Sequence, residues 1–430
     1  MARQVLFVLL TAMFGLMPAR AASYTTNVHS LNRFFDAFEK REGPVRVLSL
    51  GDSMADSWRS ITLQLVTRML ERRPFAGTSL NNSYNRSIRL LSNGGTMEPP
   101  SWLWFSYHYR LPQGAGVRWY NEQNANGILA NRLGLFWIAQ PDGGQFELLV
   151  SEKGQAATHL AMLDGFSPAF EGRFFSTNVP LSEYQLEVRS VSGTNYVLDP
   201  ELVNLRTNGL HVAWIDYSGI PLPYITMVPR AVREPILRSL APDLLIWHFK
   251  EDTTNGLGPH LLEHEEWFRA AAPNMDVLYI GTPFAEDNTG GTRTFPENEL
   301  IRSFAISQNR AFVDCMTPGV SYEWLHDRGY MDDPVHTSFE GGVFLGNVAW
   351  NDLGFYTLGT NRRVDLRQRG TMLSLEASLS AGLAYRFESS TDSVNWSEFA
   401  SRTNLSGLQQ FHVPVDTVTK FHRMQIRPLE

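Results

Sequence analysis

The chain has 430 residues, 43% hydrophobic, 19% charged and 12% aromatic, a globular composition that excludes a disordered tract, a collagen or a coiled coil as its main content. Its net charge of −7, from 37 basic against 44 acidic residues, excludes the basic stripe with which a nucleic-acid-binding surface neutralises phosphates. One cysteine, Cys315, allows no intrachain disulfide, so packed cores alone must hold the two or three domains that this length accommodates. Cys315 itself reads as a small buried apolar residue rather than a thiol nucleophile.

The chain opens with one charge, Arg3, an apolar run from Val5 to Leu16, Pro18, and the small-x-small stretch Ala19, Arg20, Ala21. That order predicts a secretory signal peptide over residues 1–21, since the run is too short for the roughly 20 residues that span a bilayer. Loss of Arg3 and Arg20 takes the net charge from −7 to −9. No later segment is apolar and long enough to span, so a secreted or periplasmic protein without a membrane span is expected.

Val45 to Leu50 reads VRVLSL, a buried strand, and ends in Gly51, Asp52, Ser53. A helix is predicted from Ala55 to Arg73, with Trp58, Ile61, Leu65, Met69 and Leu70 at helical spacing and Arg72 and Arg73 where cations favour a helix C-terminus. Strand, tight turn and helix open an α/β domain. From Phe75 to Arg206 the chain changes to short alternating runs with Gly, Asn and Pro between them, the pattern of a β-sandwich of about eight to ten strands. The α/β rhythm then resumes: strands at 210–217, 242–249 and 276–281, helices at 228–240, 260–271, 297–310 and 341–353. Four strands separated by helices predict an open parallel sheet covered on both faces, with the β-sandwich inserted in it. A polar linker, 359–370, leads to a β-rich tail, expected to be an Ig-like β-sandwich smaller than a full Ig domain. The expected organisation is therefore an α/β domain in two parts, 22–74 and 209–358, an insertion at 75–208, and a tail module at 359–430.

A serine between a buried strand and a helix lies at the rim where open α/β sheets bind ligands, so Ser53 is a candidate nucleophile as well as a candidate helix cap. A serine hydroxyl needs a general base, and that imidazole needs a carboxylate to hold its tautomer. Asp333 and His336, three apart before the last helix, supply both in one turn; Asp332 is a competing carboxylate without that spacing.

Strand-Gly-Asp-Ser-helix first and Asp-x-x-His last resembles the GDSL, or SGNH, hydrolase superfamily over 45–73 and 210–353. The resemblance implies a three-layer hydrolase fold with Ser53, Asp333 and His336 as the catalytic triad. It also implies an oxyanion donor at Gly219, which closes the strand HVAWIDYSG, beside the backbone N–H of Ser53. The chain departs from the family where an asparagine donor is expected after the third strand, since Phe249, Lys250, Glu251, Asp252 stands there with Glu251 in the asparagine's place. An ionised carboxylate cannot donate, and loss of one such donor costs about 100- to 1000-fold in rate. Lys250 or Asn255 is then a substitute donor, or Glu251 is protonated, or the hydrolase is weakened.

A β-sandwich between the serine and glycine blocks is similar to the arrangement in secreted carbohydrate and peptidoglycan O-acetylesterases. It implies an acylated polysaccharide or peptidoglycan substrate and acyl-enzyme chemistry with no metal or organic cofactor. The alternatives are a non-catalytic glycan-binding protein and an O-acyltransferase. Trp102, Trp104, Tyr107, Trp119, Tyr120 and Trp137 read as sandwich core, or as platforms for sugar rings. His260 and His264 with Glu263 and Glu265 lack the order of a zinc-protease motif and read as a solvated helix face. Glu286, Asp287 and the glycines after them read as a loop.

Overall fold

The computed structural model describes residues 25–353, apart from stretches at 57–59, 81–87, 100, 105, 121–128, 153–154, 217–221, 251–255, 288–290 and 320, and the backbone of six strands between 365 and 428. The expected leader and Trp58 lie outside the described residues. Among those residues no helix is long and apolar enough to cross a membrane.

The protein is a mixed α/β structure built on one large mixed sheet. Six strands form its parallel part: β1 (Val45–Gly51), β2 (Phe75–Ser79), β3 (Leu210–Asp216), β4 (Leu244–His248), β5 (Asp276–Ile280) and β6 (Ala311–Val313). They lie side by side in the order β6, β5, β4, β1, β3, β2. Phe75–Ser79, expected to open the insertion, instead runs parallel to β3 on one edge and antiparallel to Thr194–Val203 on the other. Through that pairing the sheet continues into the antiparallel strands between residues 88 and 203, 16 strands in all. The 20-residue strand Glu171–Ser190 pairs along its first half with Leu129–Ala139 and along its second with Gln145–Glu152 and Gly116–Tyr120, around an irregularity between Asn178 and Ser182.

Alternation along the parallel strands sends side chains to two cores, which is why these strands read as nearly continuous apolar runs. Val47, Val212, Ile246 and Leu278 pack against helices α1 (Asn32–Lys40), α3 (Ile61–Arg72) and α8 (Phe339–Leu353). On the opposite face Leu48, Ala213, Leu245 and Val277 pack with helices α4 (Leu222–Met227), α5 (Arg230–Leu240), α6 (Leu257–Ala271) and α7 (Glu297–Ser307). The helix predicted at 55–73 is two pieces, a single turn α2 (Ser53–Asp56) and α3, joined where Ser60 Oγ accepts the Leu63 N–H at 2.9 Å and donates to the Ala55 carbonyl at 3.0 Å. Arg73 closes its own helix only through its N–H, on the Met69 carbonyl at 3.0 Å. Its guanidinium is turned to the carbonyls of Ala37, Phe38 and Arg41, at 3.0, 2.6 and 2.8 Å, so it caps the C-terminus of α1.

In the tail the backbone forms two three-stranded antiparallel sheets. One joins Asp365–Arg369, Met372–Leu379 and Gly407–Pro414, and the other Ser397–Thr403, Leu383–Ser390 and Phe421–Pro428.

Candidate active site

Gly51 ends β1 at the centre of the parallel sheet, where β4 and the turn into α2 approach so closely that a Cβ would lie 2.2 Å from the His248 carbonyl oxygen and 2.4 Å from the Ala55 Cβ. Only glycine fits that crossing. The turn places half-buried Ser53 first in α2, at the C-terminal rim of the sheet. Asp52, buried beside it, takes the Met54 N–H on Oδ1 at 2.8 Å and the Lys250 N–H on Oδ2 at 2.9 Å. Burial pushes its carboxyl up to about 7, against the opposing pull of those two N–H groups and the Lys250 charge.

The second half comes from the loop before α8. Asp333 Oδ1 accepts the N–H groups of Val335 and His336 at 2.8 and 2.7 Å, closing a turn in which one aspartate holds both its own loop and the imidazole. His336 Nδ1 lies 2.8 Å from Asp333 Oδ2, and His336 Nε2 lies 2.9 Å from Ser53 Oγ. An ionised carboxylate only accepts, so Nδ1 carries the proton and Nε2 turns its lone pair to the serine hydroxyl. Burial alone would raise Asp333, but the N–H groups of His336 and Val335 and the imidazole outweigh it and hold the carboxyl below the usual range. Asp332 is exposed, and its N–H supports the loop by donating to the His336 carbonyl at 3.0 Å. The carboxylate on the imidazole is that of Asp333. Ser338 fixes the entry to α8 by accepting the Gly341 N–H at 3.1 Å and donating to the Gly329 carbonyl at 2.6 Å.

Ser53 and His336 share a small pocket with Met54, Ser60, Ile61, His248 and Thr337. His248, the last residue of β4, is buried with Nδ1 3.0 Å from Thr62 Oγ1, and its Nε2 has no hydrogen-bond partner among the described residues. Burial drives its pKa down to about 3, so the ring is neutral. Sequence reasoning assigned no role to His248 or to Asp52. The signal for His248 was a polar residue in phase with Leu244 and Ile246 on the buried face of β4. Gly219, Glu251 and Asn255 lie outside the described residues, and Lys250 enters the site through its backbone N–H on Asp52.

His264 and Glu265 do not form the solvated face expected of them. Both are buried, because α6 packs its length against the sheet. The indole N–H of Trp247 donates to His264 Nδ1 at 3.1 Å, while Glu265 accepts from the Tyr279 hydroxyl at 3.0 Å and pairs with Arg310 at 3.0 Å. His260 instead meets the Thr226 hydroxyl at 3.1 Å. Among the described residues no three His, Cys, Asp or Glu side chains are placed to hold a metal ion. Cys315 is buried, which pushes its thiol well up and removes it as a nucleophile. Of the aromatic residues in segment 75–208, Trp104, Trp119 and Trp137 are buried. The indoles of Trp119 and Trp137 donate to Asp199 at 2.8 Å and to the Asp164 carbonyl at 3.1 Å. Trp102 is 47% exposed and stands edge-on to Phe170, ring centroids 4.7 Å apart. Tyr107 is half-buried, and the side chain of Tyr120 is outside the described residues.

No family model matches the chain. No curated protein matches it either. Among solved structures it is similar to one described as a peptidoglycan O-acetylesterase, with a TM-score of 0.58 and 14% identity over 77% of this chain and 98% of the other. At that identity the likeness defines the class of fold, an α/β architecture shared with that esterase, and nothing finer. Two other matches are the C-terminal CBM6 of the laminarinase LamC from Zobellia galactanivorans (TM-score 0.20, 20% identity, 27% of this chain and 100% of that one) and an exo-beta-1,3-galactanase from Phanerochaete chrysosporium (TM-score 0.21, 20% identity, 30% and 29%). Scores that low bear on neither fold nor function.

Proposed function

We propose that the protein is an exported serine esterase of the SGNH type that removes short acyl groups, acetyl foremost, from a glycan. The observation that carries the reading is the line Ser53 Oγ, His336 Nε2, His336 Nδ1, Asp333, with links of 2.9 and 2.8 Å, at the rim of a sheet. Ser53 Oγ attacks the ester carbonyl carbon while His336 Nε2 takes its proton, and Asp333 steadies the imidazolium that forms. The tetrahedral oxyanion rests on the backbone N–H of Ser53 and, as the resemblance implies, that of Gly219. His336 then returns the proton to the departing sugar oxygen, leaving an acyl-Ser53 that water, activated by the same imidazole, hydrolyses. No step needs a metal or organic cofactor.

The glycan as substrate is supported by the fold shared with a peptidoglycan O-acetylesterase, and the β-rich segment 75–208 would hold it beside the site. Trp102, 47% exposed, is an aromatic residue there with the exposure that stacking on a sugar face requires. Export is supported by the leader-like residues 1–21. The test is release of acetate from an activated acetyl ester by the protein and by Ser53→Ala. Release only by the unmodified protein is expected, and equal background release from both would leave a glycan-binding protein. An added sugar acceptor that becomes acetylated would mark an acyltransferase instead.

A further inference from the structure

Two segments far apart in the chain meet at Asp52. Its carboxylate bonds the Met54 N–H in the first turn after β1 at 2.8 Å and the Lys250 N–H beyond β4 at 2.9 Å. Its own N–H points to the His248 carbonyl at 3.4 Å. The side chain is buried, and each oxygen has one backbone donor. The residue thus ties the turn that carries Ser53 to the start of the loop after β4. His248, two residues before Lys250, lines the pocket that holds Ser53, and 198 positions separate Asp52 from Lys250 in the chain.

We propose that Asp52 is a positioning residue whose ionised carboxylate sets the spacing between the Ser53 turn and the loop after β4, so that the site is assembled for acyl transfer only in that charge state. The proposal rests on the esterase reading. An ionised carboxylate only accepts, and it satisfies both N–H groups. Once protonated, one oxygen carries a hydrogen, and where that hydrogen faces an N–H one of the two backbone links must open. A displacement of about 1 Å at a reacting group costs on the order of 100-fold in rate.

The groups around the carboxylate agree with such a switch. Lys250 brings positive charge from the loop, His248 on β4 is held neutral by burial, and His336 lies beyond Ser53. Burial outweighs the Met54 and Lys250 N–H groups and the Lys250 charge, and places the change of charge at about pH 7. The Asp52 proton must then leave before the site is fully assembled.

The test compares the full chain with Asp52→Asn, which keeps the size and removes the charge. On an activated acetyl ester at pH 8, kcat of the variant should fall about 100-fold with KM little changed. Through pH 7, kcat of the unmodified enzyme should rise more steeply with pH than that of the variant, which lacks the Asp52 ionisation. The thermal midpoint supplies a readout that a purely structural role would move the other way. Burial raises the folded-state value from 3.8 to about 7, so the folded protein loses stability as pH rises between those values, and Asp52→Asn escapes that loss. Its midpoint at pH 8 should therefore equal or exceed that of the unmodified protein.

A variant within threefold of the unmodified kcat, or one with a lowered midpoint and an unchanged acid slope, overturns the proposal. Should the variant not fold, the unmodified protein decides alone, because a kcat that does not rise through pH 7 contradicts a required Asp52 deprotonation. Acetate release no greater than that of Ser53→Ala removes the esterase reading and the proposal together. An active enzyme that fails the Asp52 test removes the proposal only.

Discussion

Gly51→Ala tests the crossing on which the site is built. The added methyl carbon would stand 2.2 Å from the His248 carbonyl oxygen, a backbone atom, and 2.4 Å from the Ala55 Cβ, which has no rotamer by which to move away. Ordinary contact begins near 3.4 Å, so β1 and β4 must part by about 1.2 Å or the turn into α2 must move by as much. Both strands are buried on two faces, and inserting one methyl group into such packing costs about 1–3 kcal/mol. The same shift falls two residues before Ser53, where about 1 Å costs on the order of 100-fold in rate. Urea unfolding should give a lowered midpoint with an unchanged slope, and kcat on an activated acetyl ester should fall about 100-fold. A variant with unmodified stability and unmodified kcat would refute the close packing at the nucleophile turn.

Asp333→Asn removes the acceptor that fixes the His336 proton on Nδ1, and kcat should fall about 10⁴-fold while the thermal midpoint moves little; a loss below tenfold contradicts the assigned tautomer. Arg73→Met leaves the carbonyls of Ala37, Phe38 and Arg41 without their cationic donor, and urea unfolding should register a loss of about 3 kcal/mol, with kcat per folded molecule unchanged. Trp102→Ala should weaken binding of an acetylated oligosaccharide about 3- to 10-fold and leave turnover of a small acetyl ester alone. Equal effects on both substrates would remove Trp102 from any sugar contact.

What the sequence made legible was local. The strand VRVLSL, the turn Gly51-Asp52-Ser53 and the spacing of Asp333 and His336 each lie within one short segment, and the geometry that joins them follows from a sheet whose strands read as apolar runs. What stayed hidden depended on partners far along the chain. Phe75–Ser79 is a five-residue strand whose neighbours, β3 and Thr194–Val203, lie more than a hundred residues on, and β6 has three residues, too few for any periodicity. His264 and Glu265 misled because their burial comes from Trp247, Tyr279 and Arg310 on other elements. Asp52 stood in plain view in the motif, but its role depends on the Lys250 N–H, which only the fold brings to it.

The most direct measurement of the central claim is labelling by an activated alkyl phosphonate read by mass spectrometry, since the reagent bonds only to a hydroxyl whose proton has somewhere to go. A single adduct on Ser53, abolished in His336→Ala and strongly slowed in Asp333→Asn, is the expected result. No adduct on Ser53, or an adduct indifferent to His336, would contradict an activated serine at the rim of this sheet.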